Sequence, residues 1–575
     1  MAQGRAAAAR PSDIDRRIGL LFLAFLALLA IGLLRAAWLG AIQSGTLQRA
    51  AATQQVTNVV IPAARGTITD RNGVEFATSE AAADIVADPY LIRAQDPNTL
   101  AQELAPILNQ PATTLLDLLT KPRTGFVYLA RMVPAWEAAA VLRLKLHGQP
   151  VNGLSTVPES RRVYPLNWEA SQVLGGVHSD GHGWGGLEWE YDRVLSGVGG
   201  LRRVVDDARG QPVSINDVRP MVPGKTLQLT VDAQLQNEVE QVLAGVGATY
   251  RPQGATAIVM NPNTGEILAL ANWPRTNAND PAGAPLSAFL DKGVGFSYEP
   301  GSTFKAITVS GALQDGVVSP STPIQVPYEL HVADRIIHDA EPHGDETLTV
   351  AQVLKVSSNI GADEIGMMLG AKRFDYWVHR FGFGAPTGVD LPGEQQGIVL
   401  HWWQYSGSSM GNLPMGQGES ITPIQLASAY SAIANGGILR SPRIVESIGG
   451  KPTPLPPGRR VISPSTAAQV RSMLKGVLND GGTGSDAAIP GYCMAGKTGT
   501  ANEVIGGKYS NTAYASSFIG MVPADKPKLV VAVLVDRPQT QYYGGVVAAP
   551  AFQKIVGWAV PYFQIDPQCS PGWAP

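Results

Sequence analysis

Glu299-Pro300-Gly301-Ser302-Thr303-Phe304-Lys305 is the stretch of this 575-residue sequence that is most informative about its fold and chemistry. The Pro-Gly pair predicts a turn followed at once by a helix, because proline cannot continue a preceding helix but suits a first turn. Ser302 and Lys305 would then lie on one helix face, about one turn apart. A serine hydroxyl needs a nearby base, and Lys305 can be that base if burial or a second cation lowers its pKa. The stretch predicts an activated serine at a helix N-terminus, where free N–H groups favour negative charge.

A Ser-x-x-Lys spacing is common, and a second copy occurs at Ser472 and Lys475. That copy falls within a predicted helix with a polar face, which indicates a solvated surface. Two further motifs distinguish the first copy. Ser357-Ser358-Asn359 ends an amphipathic run and supplies a hydroxyl and an amide. Lys497-Thr498-Gly499-Thr500 follows a strand-like segment, and its lysine and hydroxyls suit a carboxylate beside a glycine that lets a substrate approach the backbone.

Three motifs in this order resemble those of the penicilloyl-serine transferases, and within them the class B penicillin-binding proteins. The likeness extends over about residues 18 to 562 and is strongest to the septal cell-division type, the FtsI type. Four more segments carry it: Arg65 to Gly73, Gly186 to Gly197, Asn261 to Ala269 and Tyr542 to Pro550.

The resemblance implies a serine-type D-Ala-D-Ala transpeptidase that cross-links peptidoglycan stem peptides through an acyl-enzyme on Ser302. Lys305 would take the proton of Ser302, and Ser357 would relay it towards the departing D-alanine, with Lys497 across the cleft. Asn359 would position Lys305 and the substrate amide. These five residues are the expected catalytic group.

The same resemblance assigns substrate binding to the third motif. The hydroxyls of Thr498 and Thr500 would bind the terminal carboxylate beside Gly499. The backbone N–H groups of Ser302 and Thr500 would form the oxyanion hole, which usually contributes a few kcal/mol. No cofactor and no metal are implied, and β-lactams would acylate Ser302.

Charge and cysteine content narrow the function classes. Lysine and arginine number 44 and aspartate and glutamate 47, a near balance that argues against nucleic-acid binding. The sequence has two cysteines, Cys493 and Cys569, and neither a Cys-x-x-Cys nor a His-Glu-x-x-His motif, so zinc chemistry is not expected. The two cysteines could pair outside the cytoplasm, or both could be free thiols.

The N-terminal region predicts a membrane anchor. Ile18 to Leu34 carries no charge, which is near the minimum length for a spanning helix. A cleaved signal peptide is the alternative, but the apolar run is long and no clear cleavage site ends it. Arg35 could snorkel to the outer interface or contact a partner helix. By the positive-inside rule, the tail lies in the cytoplasm because four arginines precede the run: Arg5, Arg10, Arg16 and Arg17.

The predicted fold is a multidomain α+β protein. The expected parts are a cytoplasmic tail at 1–17, a transmembrane anchor at 18–42, an elongated mixed α/β pedestal of the PBP dimerisation type at 43–222 and a transpeptidase domain at 223–575. The last part is expected to have the serine β-lactamase-like fold, in which helices flank a five-stranded antiparallel sheet. Two early and three late strand patterns predict that sheet, at 255–260, 266–271, 492–500, 513–522 and 528–536.

The partners follow from the resemblance alone, whereas the location rests on the N-terminal apolar run and its arginines together with the resemblance. It implies a single-pass protein of the bacterial inner (cytoplasmic) membrane, with its N-terminus in the cytoplasm and its catalytic domain outside. The implied partners are a SEDS glycosyltransferase (FtsW-like) and other divisome proteins. An elongation-type transpeptidase and a penicilloyl-binding hydrolase or sensor remain alternatives to the septal enzyme.

Overall fold

The computed structural model describes residues 11–41, 56–206 and 212–567. They form two compact units. The first contains the described residues up to 63 together with 198–222, and the second contains 64–197 together with the described residues from 223 onward. The domain boundaries predicted at 17, 42 and 222 remain predictions.

The first unit consists of a long helix and a small sheet. Helix α1 spans Pro11–Ala41, and its segment Arg16–Leu39 is long and apolar enough to cross a membrane. Its large apolar side chains are exposed, as expected of a helix that lipid would surround. Arg5 and Arg10 lie outside the described residues. The sheet is antiparallel, with Gly200–Asp206 between Val56–Ile61 and Pro212–Arg219.

The N-terminal part of the second unit is built on the long strand Glu75–Ala87. This strand pairs antiparallel with Val127–Pro134 and with Leu154–Val163. Helices Pro97–Leu108 and Ala112–Leu119 bury leucines in the core beside the sheet. The side chain of Asp96 caps the N-terminus of the first helix by accepting from the Thr99 N–H.

A buried ion network joins two of the segments that carry the family likeness. Glu188 is fully buried, and its Oε2 lies 2.5 Å from Arg65 Nε while its Oε1 lies 2.6 Å from Arg162 Nε. Arg65 also contacts Asp192 at 2.7 Å. A buried carboxylate needs such partners because desolvation without them is costly.

One mixed sheet links the N-terminal and C-terminal parts of the second unit. Ile68–Thr69 pairs parallel with Leu227–Leu229, which pairs antiparallel with Val445–Ile448. Ile68–Thr69 also pairs with Glu75–Ala87, and Lys451–Pro452 closes the far edge. A continuous ladder of backbone hydrogen bonds therefore connects the N-terminal part of the second unit to its C-terminal part.

The C-terminal part contains the predicted five-stranded antiparallel sheet, in the order β2-β1-β5-β4-β3. Strand β5 lies at its centre and is buried throughout. Its first seven residues, Leu529 to Val535, are a continuous apolar run with no alternation, and its last residue, Asp536, forms an ion pair with Lys292 at 2.7 Å. Distant parts of the chain close this sheet, as the strand patterns predicted. The strands are β1 Gly254–Met260, β2 Ile267–Trp273, β3 Ala495–Ile505, β4 Lys508–Val522 and β5 Leu529–Asp536.

Helices flank this sheet. Helix α7 is buried along its whole length, and α9 packs against the sheet and α2. The longer helices are α2 Ala233–Tyr250, α3 Lys305–Gln314, α4 Val350–Val356, α5 Asn359–Leu369, α6 Ala371–Arg380, α7 Pro423–Ala434, α8 Pro464–Lys475 and α9 Ala549–Tyr562.

Short elements complete the second unit. The short helices are Pro89–Ile92, Ala135–Leu142, Ser171–Leu174, Gly186–Glu190, Asp192–Leu195, Lys292–Gly295 and Gly544–Val547. The short strand pairs are Lys145–Leu146 with Gln149–Pro150, Gly176–Val177 with Gly183–Gly185, Pro323–Val326 with Glu346–Thr349, Leu330–Val332 with Arg335–Ile337, and Ile438–Leu439 with Arg459–Arg460.

Candidate active site

Ser302 lies in a 3-10 turn, Gly301–Phe304, that leads directly into α3. The backbone N–H of Lys305 donates to the Ser302 carbonyl, which sets the two residues one turn apart. Gly301 has φ +54°, and a Cβ there would lie 3.0 Å from the Thr500 carbonyl O. Glycine therefore lets this turn, which we call the serine turn, pack against β3. Among the described residues no hydrogen bond joins Ser302 Oγ to Lys305 Nζ, so the pairing of the two side chains remains a prediction that rests on this one-turn separation.

Lys305 is fully buried and anchored to the second motif. Its Nζ donates to the Ser357 carbonyl O at 2.5 Å and to Asn359 Oδ1 at 2.7 Å. Burial lowers the pKa of Lys305 to about 8, although the negative charges of Asp339 and Asp363 act in the opposite direction. The group therefore titrates near neutral pH, as a general base should.

The Ser357 hydroxyl lies between two lysines. It accepts a hydrogen bond from Lys497 Nζ at 2.9 Å and lies 3.4 Å from Lys305 Nζ. Ser357 ends α4 in the left-handed conformation, with φ +66°. A non-glycine residue held there carries backbone strain of about 1 kcal/mol or more, which is typical of functional positions.

Asn359 is the first residue of α5. Its Oδ1 accepts from Lys305, while its Nδ2 donates to the His338 carbonyl O at 2.9 Å. The Asp339 carboxylate accepts from the backbone N–H of Asn359 and from that of Ile360 at 3.0 Å. The loop at 338–339 therefore fixes the amide that holds the lysine.

Lys497 reaches Ser357 from strand β3. It is fully buried, and burial followed by the positive charge of Lys305 lowers its pKa well below the usual range. Its Nζ also contacts the carbonyl O and Oγ1 of Thr498, both at 3.3 Å. Two groups that can accept a proton thus flank one hydroxyl.

The rest of the third motif faces the same space. Thr498 Oγ1 lies 2.8 Å from Thr483 Oγ1, and Thr500 Oγ1 accepts from the Gly544 N–H at 2.9 Å, so its own proton can be donated elsewhere. A Cβ on Gly499 would lie 2.4 Å from Ser517 Oγ and 2.9 Å from the Pro300 carbonyl O. Close packing of β3 on the serine turn therefore requires this glycine. Its predicted role in substrate approach remains a prediction.

Residues from all three motifs line one hollow of about 600 Å³, which we call the serine cleft. The lining includes the predicted Ser302, Ser357, Asn359, Thr498 and Thr500. Lys305 and Lys497 lie buried beneath it and reach it through Ser357. The first and third motifs therefore meet at one cleft, although nearly two hundred residues separate them in the sequence.

Sequence reasoning missed two groups that line this cleft, Thr483 and Asp339, and one buried acid whose charge acts on Lys305, Asp363. Thr483 belongs to Gly481-Gly482-Thr483-Gly484, whose glycine content was the available signal. Asp339 lies in a loop with no pattern of its own. Asp363, on α5, is fully buried, and neither of its carboxylate oxygens has a hydrogen-bond partner among the described residues. Burial raises the pKa of Asp363 well above its usual range, while the charge of Lys305 opposes the shift.

The remaining candidates lie elsewhere. Lys475 forms an ion pair with Asp525 at 2.5 Å on α8, and Ser472 is exposed, which fits the predicted solvated face. Cys493 is buried, whereas Cys569 lies outside the described residues, so their pairing remains a prediction.

Two family models match the sequence. The penicillin binding protein transpeptidase domain matches residues 255–557, and the penicillin-binding protein dimerisation domain matches residues 60–229. The first match covers every candidate site residue.

Relatives align over nearly the whole chain. Penicillin-binding protein PbpB of Mycolicibacterium smegmatis is 33% identical over 594 aligned residues, which cover 96% of this chain and 91% of the relative. Peptidoglycan D,D-transpeptidase FtsI of Escherichia coli is 33% identical, with 96% and 93% covered. The crystal structure of penicillin binding protein 3 from Mycobacterium tuberculosis is 29% identical, with a TM-score of 0.67 and coverage of 89% of this chain and 98% of that chain.

Proposed function

Because the chain belongs to the class B penicillin-binding proteins, as its motifs predicted, we propose that Ser302 is the nucleophile of a peptidoglycan D,D-transpeptidase. The enzyme class follows from the family and from relatives that carry this name. The residue roles are the proposal. The observation that carries it is the hydroxyl of Ser357, which lies 2.9 Å from Lys497 Nζ and 3.4 Å from Lys305 Nζ in the cleft that Ser302 also lines.

In the first step, Ser302 Oγ attacks the carbonyl carbon between the two terminal D-alanines of a stem peptide. Lys305, neutral in part because its pKa is about 8, takes the hydroxyl proton as the C–O bond forms. The oxyanion receives hydrogen bonds from the backbone N–H groups of Ser302 and Thr500, which face developing charge at no reorganisation cost.

In the second step, the C–N bond breaks and the departing D-alanine nitrogen takes a proton. Ser357 donates its hydroxyl proton and regains one from the lysine side, so that the proton from Ser302 reaches the leaving amine. Lys497 holds the Ser357 hydroxyl in place across the serine cleft. Thr498 and Thr500 bind the terminal carboxylate through their hydroxyls.

In the third step, an amine of a neighbouring stem attacks the ester carbonyl on Ser302. A new amide forms, the serine oxygen leaves with a proton, and the glycan strands are cross-linked. The energy of the original amide is retained in the ester, so no nucleotide is consumed. A β-lactam enters the same path at the first step and remains on the serine.

Covalent labelling with a fluorescent penicillin tests these roles. Ser302→Ala should abolish labelling while leaving the thermal unfolding temperature unchanged, and Lys305→Ala should also abolish it. Lys497→Ala should slow labelling. Ser472→Ala, the matched change in the second Ser-x-x-Lys, should label as the wild type does. Undiminished labelling of the Ser302 variant would contradict the assignment.

The hydrolase alternative is tested by the fate of the acyl-enzyme. A transpeptidase should hold the penicilloyl group for many minutes and should convert a stem-peptide donor to a cross-linked product when an amine acceptor is added. Rapid turnover of penicillin, with water as the only acceptor used, would instead indicate a β-lactamase or a carboxypeptidase.

We further assign the enzyme to the septum. The supporting observation is the full-length similarity to FtsI of E. coli and PbpB of M. smegmatis. The proposed arrangement has α1 spanning the bacterial inner membrane, the N-terminus in the cytoplasm, the pedestal at 43–222 and the transpeptidase domain at 223–575 outside. A SEDS glycosyltransferase (FtsW-like) and other divisome proteins are the proposed partners. Depletion should give filamentous cells, whereas rounded cells would indicate the elongation role.

A further inference from the structure

Asp375, His379 and His401 form a cluster that does not line the serine cleft. Asp375 and His379 are four residues apart on α6 and so share a face. His401 directly precedes the 3-10 turn Trp402–Gln404. One possible ligand atom from each of the three residues lies within 4.8 Å of the other two. We call this group the His–Asp cluster.

The distances within the cluster are those of ligands around one small ion. Nδ1 of His379 lies 2.8 Å, and Nδ1 of His401 3.5 Å, from Oδ1 of Asp375. Two ligand atoms at about 2.1 Å from a tetrahedral zinc ion are separated by about 3.4 Å. The spacing from Asp375 to His401 matches this value. Nδ1 of His379 is closer and also lies 3.0 Å from the Asp375 carbonyl O, so an ion held by all three residues would replace this contact.

The imidazoles of His379 and His401 are the ion-pair partners of the buried Asp375 carboxylate. Its Oδ1 is buried and accepts no hydrogen bond of good geometry, and no lysine or arginine among the described residues forms an ion pair with it. On the inner side lie Tyr405 and Glu419, whose hydroxyl and Oε1 are also buried and without hydrogen-bond partners. Burial, Glu299 and Asp375 raise the pKa of Glu419 well above its usual range. A cation at Asp375 would relieve this concentration of acidic groups.

The ligand atoms, rather than the basic rim of the hollow, select the kind of cation. Lys372, Arg380 and Arg459 line the same hollow, which has a volume of about 490 Å³. Their positive charges repel every divalent ion alike, so they do not discriminate between metals. Mg²⁺ and Ca²⁺ prefer six or more oxygen ligands, of which the cluster supplies one carboxylate. Two imidazoles and one carboxylate instead suit zinc, which leaves a fourth position for water or an anion attracted by the rim.

The geometry points to a zinc site formed by Asp375, His379 and His401, which ties α6 to the turn after residue 401. The two imidazole rings are stacked 4.4 Å apart, so one ring must turn for both to face the ion. His401 has the more exposed side chain, at 45% against 30% for His379, and is the ring that turns. It is also stacked on Trp403 at 4.3 Å, so binding should change the fluorescence of that tryptophan.

Equilibrium dialysis of the full-length chain in detergent, after removal of metal with a chelator, tests the site. The protein is dialysed against zinc chloride or magnesium chloride, and bound metal is counted by mass spectrometry. The variants are His379→Ala, His401→Ala and Asp375→Asn. The matched control is His331→Ala, because His331 is an exposed histidine beside the carboxylate of Glu329 and lies outside the cluster.

One zinc and no magnesium should bind per wild-type chain, and zinc should raise the thermal unfolding temperature. Each cluster variant should lose zinc affinity by about tenfold or more, and the control should not. His401 is largely exposed, so its variant should fold and should label with penicillin as the wild type does. The site would be overturned if the wild type bound no zinc, or if the His379 and His401 variants bound zinc as tightly as the wild type does. The cluster would then be a simple ion pair.

Discussion

The protonation of Lys305 should control how fast the enzyme is acylated, and the structure sets the pH at which this occurs. Its pKa is lowered to about 8 because the ammonium is buried. About one Lys305 in eleven is then neutral at pH 7 and about ten in eleven at pH 9. The acylation rate constant should rise about tenfold over this interval and level off above it. A lysine with the ordinary value of 10.5 would give about a hundredfold rise with no plateau.

The assay is the second-order rate constant for labelling by a fluorescent penicillin, measured in short reactions from pH 6 to pH 10. Asp339→Asn should move the inflection to lower pH, because it removes a negative charge that favours the ammonium while leaving an oxygen to accept from α5. Glu341→Gln, on the rim of the same cleft, is the control and should leave the profile unchanged. A profile without an inflection between pH 7 and pH 9, or equal shifts in both variants, would refute the assignment of Lys305 as the base.

Three further predictions concern stability and packing. Because the pKa of Lys305 is lowered in the folded state, its burial should cost about 3 kcal/mol below pH 8, and this cost should disappear as the pH rises towards 10.5. In urea unfolding, the free energy of unfolding of Lys305→Met should lack this rise between pH 8 and pH 10.5. The prediction would be contradicted if that free energy changed equally with pH in the variant and in the wild type. Gly499→Ala should slow penicillin labelling and cost about 1–3 kcal/mol, because the added Cβ would lie 2.4 Å from Ser517 Oγ; Gly245→Ala, on open helix surface, is the control. Arg65→Met should cost about 1–3 kcal/mol, because it removes one of the two arginine partners of buried Glu188 and leaves Arg162. A loss below about 1 kcal/mol would argue against the buried network.

The sequence predicted the sheet well because its strands carry strong local patterns. Strand β5 begins with an uninterrupted apolar run, and β1 and β2 flank a turn at Asn261 to Gly265, so each was recognisable without its neighbours. The pairing of β1 with β5 is not local, but two early and three late strands leave few ways to close one sheet.

The parts that could not be predicted depend on contacts between loops. Asp339 holds the N-terminus of α5 from twenty residues away, and nothing around it in the sequence marks that role. Gly499 was expected to leave room for a substrate, yet the nearest atoms to a Cβ there belong to Ser517 and to the serine turn. The His–Asp cluster combines a helix with a distant turn, so a search for compact metal motifs could not find it.

Two buried lysines around one hydroxyl destabilise the folded protein but suit acyl transfer, because both can accept a proton. Desolvation lowers the pKa of both Lys305 and Lys497, and the charge of the first lowers that of the second further. If both lysines were protonated, the two ammonium groups would repel each other across the Ser357 oxygen. The arrangement therefore favours states in which at most one of the two lysines is protonated. With two amines that can each accept a proton, the site can take the proton of Ser302 and later pass it to the leaving amine. The net charge of the site is then the same before and after the transfer. The strained backbone of Ser357 fits this reasoning, since a residue that only ended a helix would more easily be glycine.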